Sequence, residues 1–142
     1  MNMMTSPTNV ISDAAMARDF LADAGEFLPP TDTQRGIVQL RNGVPVGCVL
    51  YDQNNGSNVF AHCAGTPGKP WMTRQMLYAM FHYPFVQHNL RRVTLWISSS
   101  NGASIRFAEH LGFEFEAALP QAGADGQPIF IYRMLRKDCR YV

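Results

Sequence analysis

Apolar positions along the chain predict a helix, a strand hairpin, and then a strand, helix, strand, helix unit. The first ten residues show no period, and Ser6-Pro7-Thr8-Asn9 reads as turn formers, so 1–10 are expected to be flexible. Ala15, Met16, Phe20 and Leu21 line one side of a helix that begins at Ser12 or Asp13, with Ser12 as its cap, and ends at Leu28-Pro29-Pro30. Gln34 to Arg41 and Val44 to Tyr51 read as strands joined by Asn42-Gly43, both of whose turn positions favour positive φ. Asp52 to Ser57 turns the chain into a short strand, Val59 to His62, which the turn residues Ala64 to Pro70 interrupt.

A helix is expected from Trp71, because Met72, Met76, Leu77, Met80 and Phe81 recur at three-and-four spacing. Pro84 is expected to stop it, having no N–H to donate. Arg92 to Ile97 is a strand with Val93, Leu95 and Ile97 on one face. Ser98 to Asn101 opens a second helix, Ala103 to Leu111, with Gly112 as its C-terminal cap. Phe113 to Glu116 alternates as a strand, Pro120 to Gln127 is a loop, and Ile129 to Leu135 is the last strand before a polar tail, 136–142. Two strands joined by a helix imply a right-handed crossover with parallel pairing. The fold class is therefore α/β, a single mixed and mostly antiparallel sheet with helices on both faces, splayed where its antiparallel half meets its crossover half. One domain over 1–142 is expected.

Composition narrows the function. At 142 residues, 46% hydrophobic and 16% charged, the chain is globular. A formal net charge of +1 gives no field to steer nucleic acid or an anionic membrane. Three cysteines without paired spacing suit a reducing compartment. The first residues lack a basic region followed by an apolar core, and no stretch reaches the ~18 apolar residues of a membrane span. A cytoplasmic protein without nucleic-acid or membrane partners is expected.

Asn101-Gly102-Ala103-Ser104-Ile105-Arg106-Phe107-Ala108-Glu109-His110-Leu111-Gly112-Phe113 resembles the asparagine-to-Gly-Phe signature of the Gcn5-related N-acetyltransferases (GNAT family). The element order matches over residues 12–135. The Tyr83-Pro84-Phe85 helix end and the Asp138-Cys139-Arg140-Tyr141 tail resemble short members carried by bacterial viruses. The resemblance implies acetyl-coenzyme A as co-substrate, no metal, and direct transfer of its acetyl group to a primary amine in a ternary complex.

The family's diphosphate-binding segment corresponds to Pro67-Gly68-Lys69-Pro70-Trp71-Met72, which departs from the usual glycine pattern. Gly68 permits close backbone approach, Lys69 and Arg74 offer charge, and helix-head amides at Trp71, Met72 and Thr73 offer donors. The resemblance adds Cys63 and Ala64 as main-chain contacts, and Asn101, Ser104 and Phe107 along the second helix. Asn101 reads equally as a helix cap, and the loop as an ordinary glycine-proline cap. A P-loop is excluded, since Cys63 stands for its first Gly and Pro70 for its Ser/Thr.

Transfer needs a base for the ammonium, an N–H for the oxyanion, and an acid for the thiolate. The family's N–H corresponds to His62 to Ala64, and its acid, a Tyr seven residues after the Asn, corresponds to Ala108. Ser98, Ser99, Ser104 and Tyr132 are candidates to replace that acid. His62 is the candidate base, as imidazoles titrate near neutrality, with Asp52 acting through water as second choice. His62 also reads as a hydrogen-bonded sheet residue. Cys48, Cys63 and Cys139 read as small core or surface residues, and adjacent His62 and Cys63 would point to opposite faces, a poor zinc pair. His82 and His88 read as surface decoration.

The segments expected to shape the acceptor site, Gly25 to Thr33 and Pro120 to Gln127, are short. They point to a bulky acceptor such as a protein amine, or to a site completed by a second copy. Two other classes stay open: a GNAT-fold binding or inhibitory module without transfer, and an interaction protein using Trp71, Phe81, Tyr83 and Phe85.

Overall fold

The computed structural model describes residues 8–142. The expected flexibility of 1–10 lies outside the described residues for 1–7, but its remainder is corrected. Thr8–Ser12 is an edge strand, β1, paired antiparallel with β2. The elements that follow are α1 (Ala14–Asp23), β2 (Arg35–Arg41), β3 (Val44–Asp52), β4 (Asn58–Gly65), α2 (Arg74–His82), β5 (Arg92–Ser98), α3 (Gly102–Leu111), β6 (Glu114–Leu119) and β7 (Ile129–Leu135). They form a seven-stranded sheet in the order β1-β2-β3-β4-β5-β7-β6, antiparallel throughout except between β4 and β5.

Each face has its own core. Ala17 and Leu21 of α1 pack on Val38, Cys48 and Leu50, covering β2 and β3. On the opposite face Met76, Met80 and Phe81 of α2 and Ala108 and Leu111 of α3 pack on Val59, Ala61, Val93, Leu95 and Tyr132. Among the described residues, no helix is long and apolar enough to cross a membrane.

Several element ends differ from expectation. Asp13, not Ser12, caps α1 by accepting the Met16 N–H at 2.9 Å. β4 runs on to Gly65, because β3 continues to pair with Cys63, Ala64 and Gly65. α2 begins three residues after Trp71: Thr73 is its cap, accepting the Met76 N–H at 3.1 Å. The Thr73 hydroxyl also donates to Gln39 Oε1 at 2.6 Å, and the buried Gln39 donates to the Asn9 and Leu40 carbonyls. One glutamine at the β2 bulge thus fixes the head of α2 to the sheet. Pro84 does not end the helical path, which passes into a π-helical turn over Tyr83–Gln87.

Candidate active site

The β4–β5 ladder holds three pairs, Asn58↔Arg92, Val59↔Val93 and Phe60↔Thr94. Beyond them both strands continue, β4 held by β3 and β5 held by β7, without pairing to each other. The sheet is parted at its centre.

Hydrogen-bond alternation shows which main-chain groups look into the gap. Thr66 donates to the Val46 carbonyl at 2.9 Å, continuing the Gly47↔Gly65 register. Antiparallel alternation then turns Phe60, His62 and Ala64 toward β3, and leaves the N–H and C=O groups of Ala61, Cys63 and Gly65 facing β5. On the far side Ser99 donates to the Pro128 carbonyl at 3.0 Å, so Trp96 and Ser98 face the gap. Of the residues expected to offer an oxyanion N–H, the geometry selects Cys63 and turns His62 and Ala64 away.

Side chains alternate likewise. Cys63 lies against the α2–α3 core, and burial pushes its thiol well above the usual range. His62 projects to the α1 face, where its Nδ1 lies 2.7 Å from Glu26 Oε2, in the loop after α1. The imidazole is largely buried (11% exposed) and the carboxylate is 42% exposed. A carboxylate on Nδ1 holds that nitrogen as N–H and leaves Nε2 as the acceptor. Glu26 is thereby the partner of the candidate base. No local pattern joins the two, since they are 36 residues apart.

Asp52 shares that face but sits opposite Phe60, at the zipped end of the β4–β5 pair, where its Oδ1 accepts the Gln53 N–H at 3.0 Å. That bond gives it a turn role. Tyr132 donates its hydroxyl to Glu109 Oε2 at 2.9 Å. At about 100° per residue Glu109 and Phe107 occupy opposite flanks of α3. Phe107 faces Trp71, on the gap side, so the Tyr132 hydroxyl is turned from the gap, and burial followed by Glu109 pushes its phenol up. Ser104, one turn before Ala108, stays on the gap side, and Asn101 caps α3 by accepting its N–H at 3.1 Å.

The loop before α2 carries the remaining candidates. Gly68 adopts φ +78°, and Lys69 and Arg74 are exposed. α2 starts at Arg74, so its helix-head amides without an intrahelical partner are those of Thr73, Arg74 and Gln75, and Trp71 and Met72 precede the helix. Arg41, unforeseen, donates from Nη2 to the Pro70 carbonyl at 3.1 Å beside this loop. Its Nε is buried with no partner among the described residues. Trp71 lies flat on Gly47 and Gly65 and stacks on Phe107 at 5.3 Å.

Both expected acceptor segments reach this end of the sheet. One supplies Glu26, with Phe27 beside it 75% exposed, and the other brings Gln127 Nε2 to Ser98 Oγ at 3.1 Å. His82 and His88 are not mere decoration. His82 stacks on Tyr78, His88 meets Tyr83 at a tilt of 59°, and both line a pocket of about 490 Å³ with Arg35 and Tyr51, at the other end of α2 from the gap.

No family model matches the chain, and no curated protein matches it in sequence. Solved structures do. A point mutant of the spermidine N-acetyltransferase SpeG from Vibrio cholerae superposes with a TM-score of 0.76 at 14% identity, covering 96% of this chain and 97% of that one. A chimera of that enzyme with hSSAT gives 0.75 at 14% identity over 96% and 99%. The chain has the GNAT fold. A dodecameric form of SpeG from Vibrio cholerae matches at 0.74 and 14% identity over 94% and 96%. At such identities the GNAT likeness is one of architecture, and it extends over 94–96% of the chain.

Proposed function

We propose that the protein is an N-acetyltransferase that moves an acetyl group from acetyl-coenzyme A to a primary amine. The observation that carries this reading is the parted sheet, with Cys63 and Gly65, beyond the last β4–β5 rung at Phe60↔Thr94, turning main-chain groups into the gap. A pantetheine arm carries amides that pair with such an edge as an added strand would. The diphosphate goes to the α2 head, where the Arg74 and Gln75 amides lie near the cations Lys69, Arg74 and Arg41.

The amine enters from the α1 face. Nε2 of His62, oriented by Glu26, takes its proton, directly or through water. The neutral nitrogen attacks the thioester carbonyl, and the Cys63 N–H receives the developing oxyanion. The intermediate then collapses: the C–S bond breaks, the nitrogen gives up its second proton to water, and the thiolate takes a proton from water or through the Ser104 hydroxyl, which is reprotonated by water, so the neutral amide and free thiol form. Glu26 favours a cationic acceptor, as do the exposed Phe27 and Trp96.

Release of free coenzyme A thiol, measured against spermidine, lysine peptides and whole proteins, tests the reading. His62→Gln should lower turnover by about 10²- to 10⁴-fold. Unchanged turnover would remove His62 from the mechanism, and no thiol release with any amine would reject transfer. Two observations favour a second reading, a GNAT-fold binding module without transfer. Ala108 stands where the family's acid is expected, and the Trp71 indole lies across the gap side of α3.

A further inference from the structure

The position of Trp71 has a physical cause that leads beyond the transfer reading, on which the following rests. Gly47 and Gly65 are register partners on β3 and β4. A Cβ at Gly47 would stand 2.3 Å from the indole, and one at Gly65 2.1 Å, closer than any side chain tolerates. Only this bare pair of strand residues admits the ring, which is what glycine inside a strand signals. The indole's other side reaches Phe107, at 5.3 Å and 28° between planes. It therefore spans from the end of β4 to α3, across the open end of the gap, on the α2–α3 face.

The segment that carries the ring is anchored at both ends and little between them. Thr66 is tied to Val46 and Thr73 to Gln39, while Pro67 to Pro70 are exposed and Arg41 holds the Pro70 carbonyl. Trp71 and Met72 pack on the α2–α3 core, so release of the ring breaks those contacts while the Thr66 and Thr73 ties stay in place.

We propose that Trp71 is a gate: its indole rests on the Gly47–Gly65 floor when the gap is empty, and leaves when a pantetheine arm enters. The closed ring lowers the fraction of molecules competent to bind, and the apparent dissociation constant rises in proportion.

The chain has two tryptophans, so Trp96→Phe leaves Trp71 as the sole indole reporter. Coenzyme A is titrated by calorimetry and by fluorescence into this variant, alone and with Trp71→Ala or Gly47→Ala. Support is a red-shifted, more quencher-accessible Trp71 at saturation, together with binding on the order of tenfold tighter in Trp71→Ala. Gly47→Ala pushes the ring off its floor from outside the gap. It should tighten binding likewise, which keeps the test alive if Trp71→Ala misfolds. Binding with unchanged emission, or weaker binding by Trp71→Ala, overturns the gate and makes Trp71 a fixed wall of the site. Failure of every folded variant to bind coenzyme A overturns the acetyl-transfer reading and the gate with it.

Discussion

Cys48 lies under α1, its Sγ donating to the Ala17 carbonyl at 3.6 Å, and burial pushes its thiol up to about 12. In the unfolded chain an exposed thiol ionises near ~8.5. The buried neutral thiol therefore contributes stability that is complete below the unfolded value and is lost as pH rises toward the folded one. The urea midpoint should fall across that alkaline window, and Cys48→Ala should flatten part of the fall. An unchanged slope would mean that the other groups raised by burial, the Cys63 and Cys139 thiols and the Tyr51, Tyr83 and Tyr132 phenols, carry it. Sequence reading left these thiols as core or surface residues; the fold buries Cys48 and Cys139 and half-buries Cys63. The His62–Glu26 pair was illegible, because a loop carboxylate and a strand imidazole meet only through the docking of α1 on the sheet.

At the level of elements, the end of α2 shows how a helix continues past a proline. Pro84 has no N–H for the Met80 carbonyl one turn back, and the Tyr51 hydroxyl donates to that carbonyl at 2.6 Å instead. Tyr51→Phe leaves a buried acceptor without a partner, which should cost about 1–3 kcal/mol. In a Pro84→Ala background the restored N–H should shrink that cost. A urea double-mutant cycle with no coupling would show that the two residues act separately. Periodicity found Met76, Met80 and Phe81, all buried, but placed the helix start at Trp71. Thr73, the real cap, is chosen by Gln39 on a distant strand, and no window of local sequence contains that bond. β1 was missed for a similar reason. Five residues with two apolar side chains become a strand only because β2 offers a free edge.

For the whole molecule, the parted sheet divides adjacent amides of a single strand into two populations. In β4 the N–H groups of His62 and Ala64 are held by β3 and that of Ala61 by the last β5 rung at Thr94, while those of Cys63 and Gly65 face the gap. The crossover rule and the GNAT resemblance made the splay itself legible, since strands diverging from a parallel junction need only the element order. The parity of the amides was not legible, because a one-residue shift in the β3–β4 register would exchange the two sets. Hydrogen exchange reads that parity directly. Without ligand, His62 and Ala64 should exchange with the slow core, and Cys63 and Gly65 faster by at least tenfold. Saturating coenzyme A should slow the gap-facing amides of β4 and leave His62 and Ala64 unchanged. Uniform protection along β4 without ligand would mean that the strands close on each other in solution, and the slot on which acetyl transfer depends would not exist.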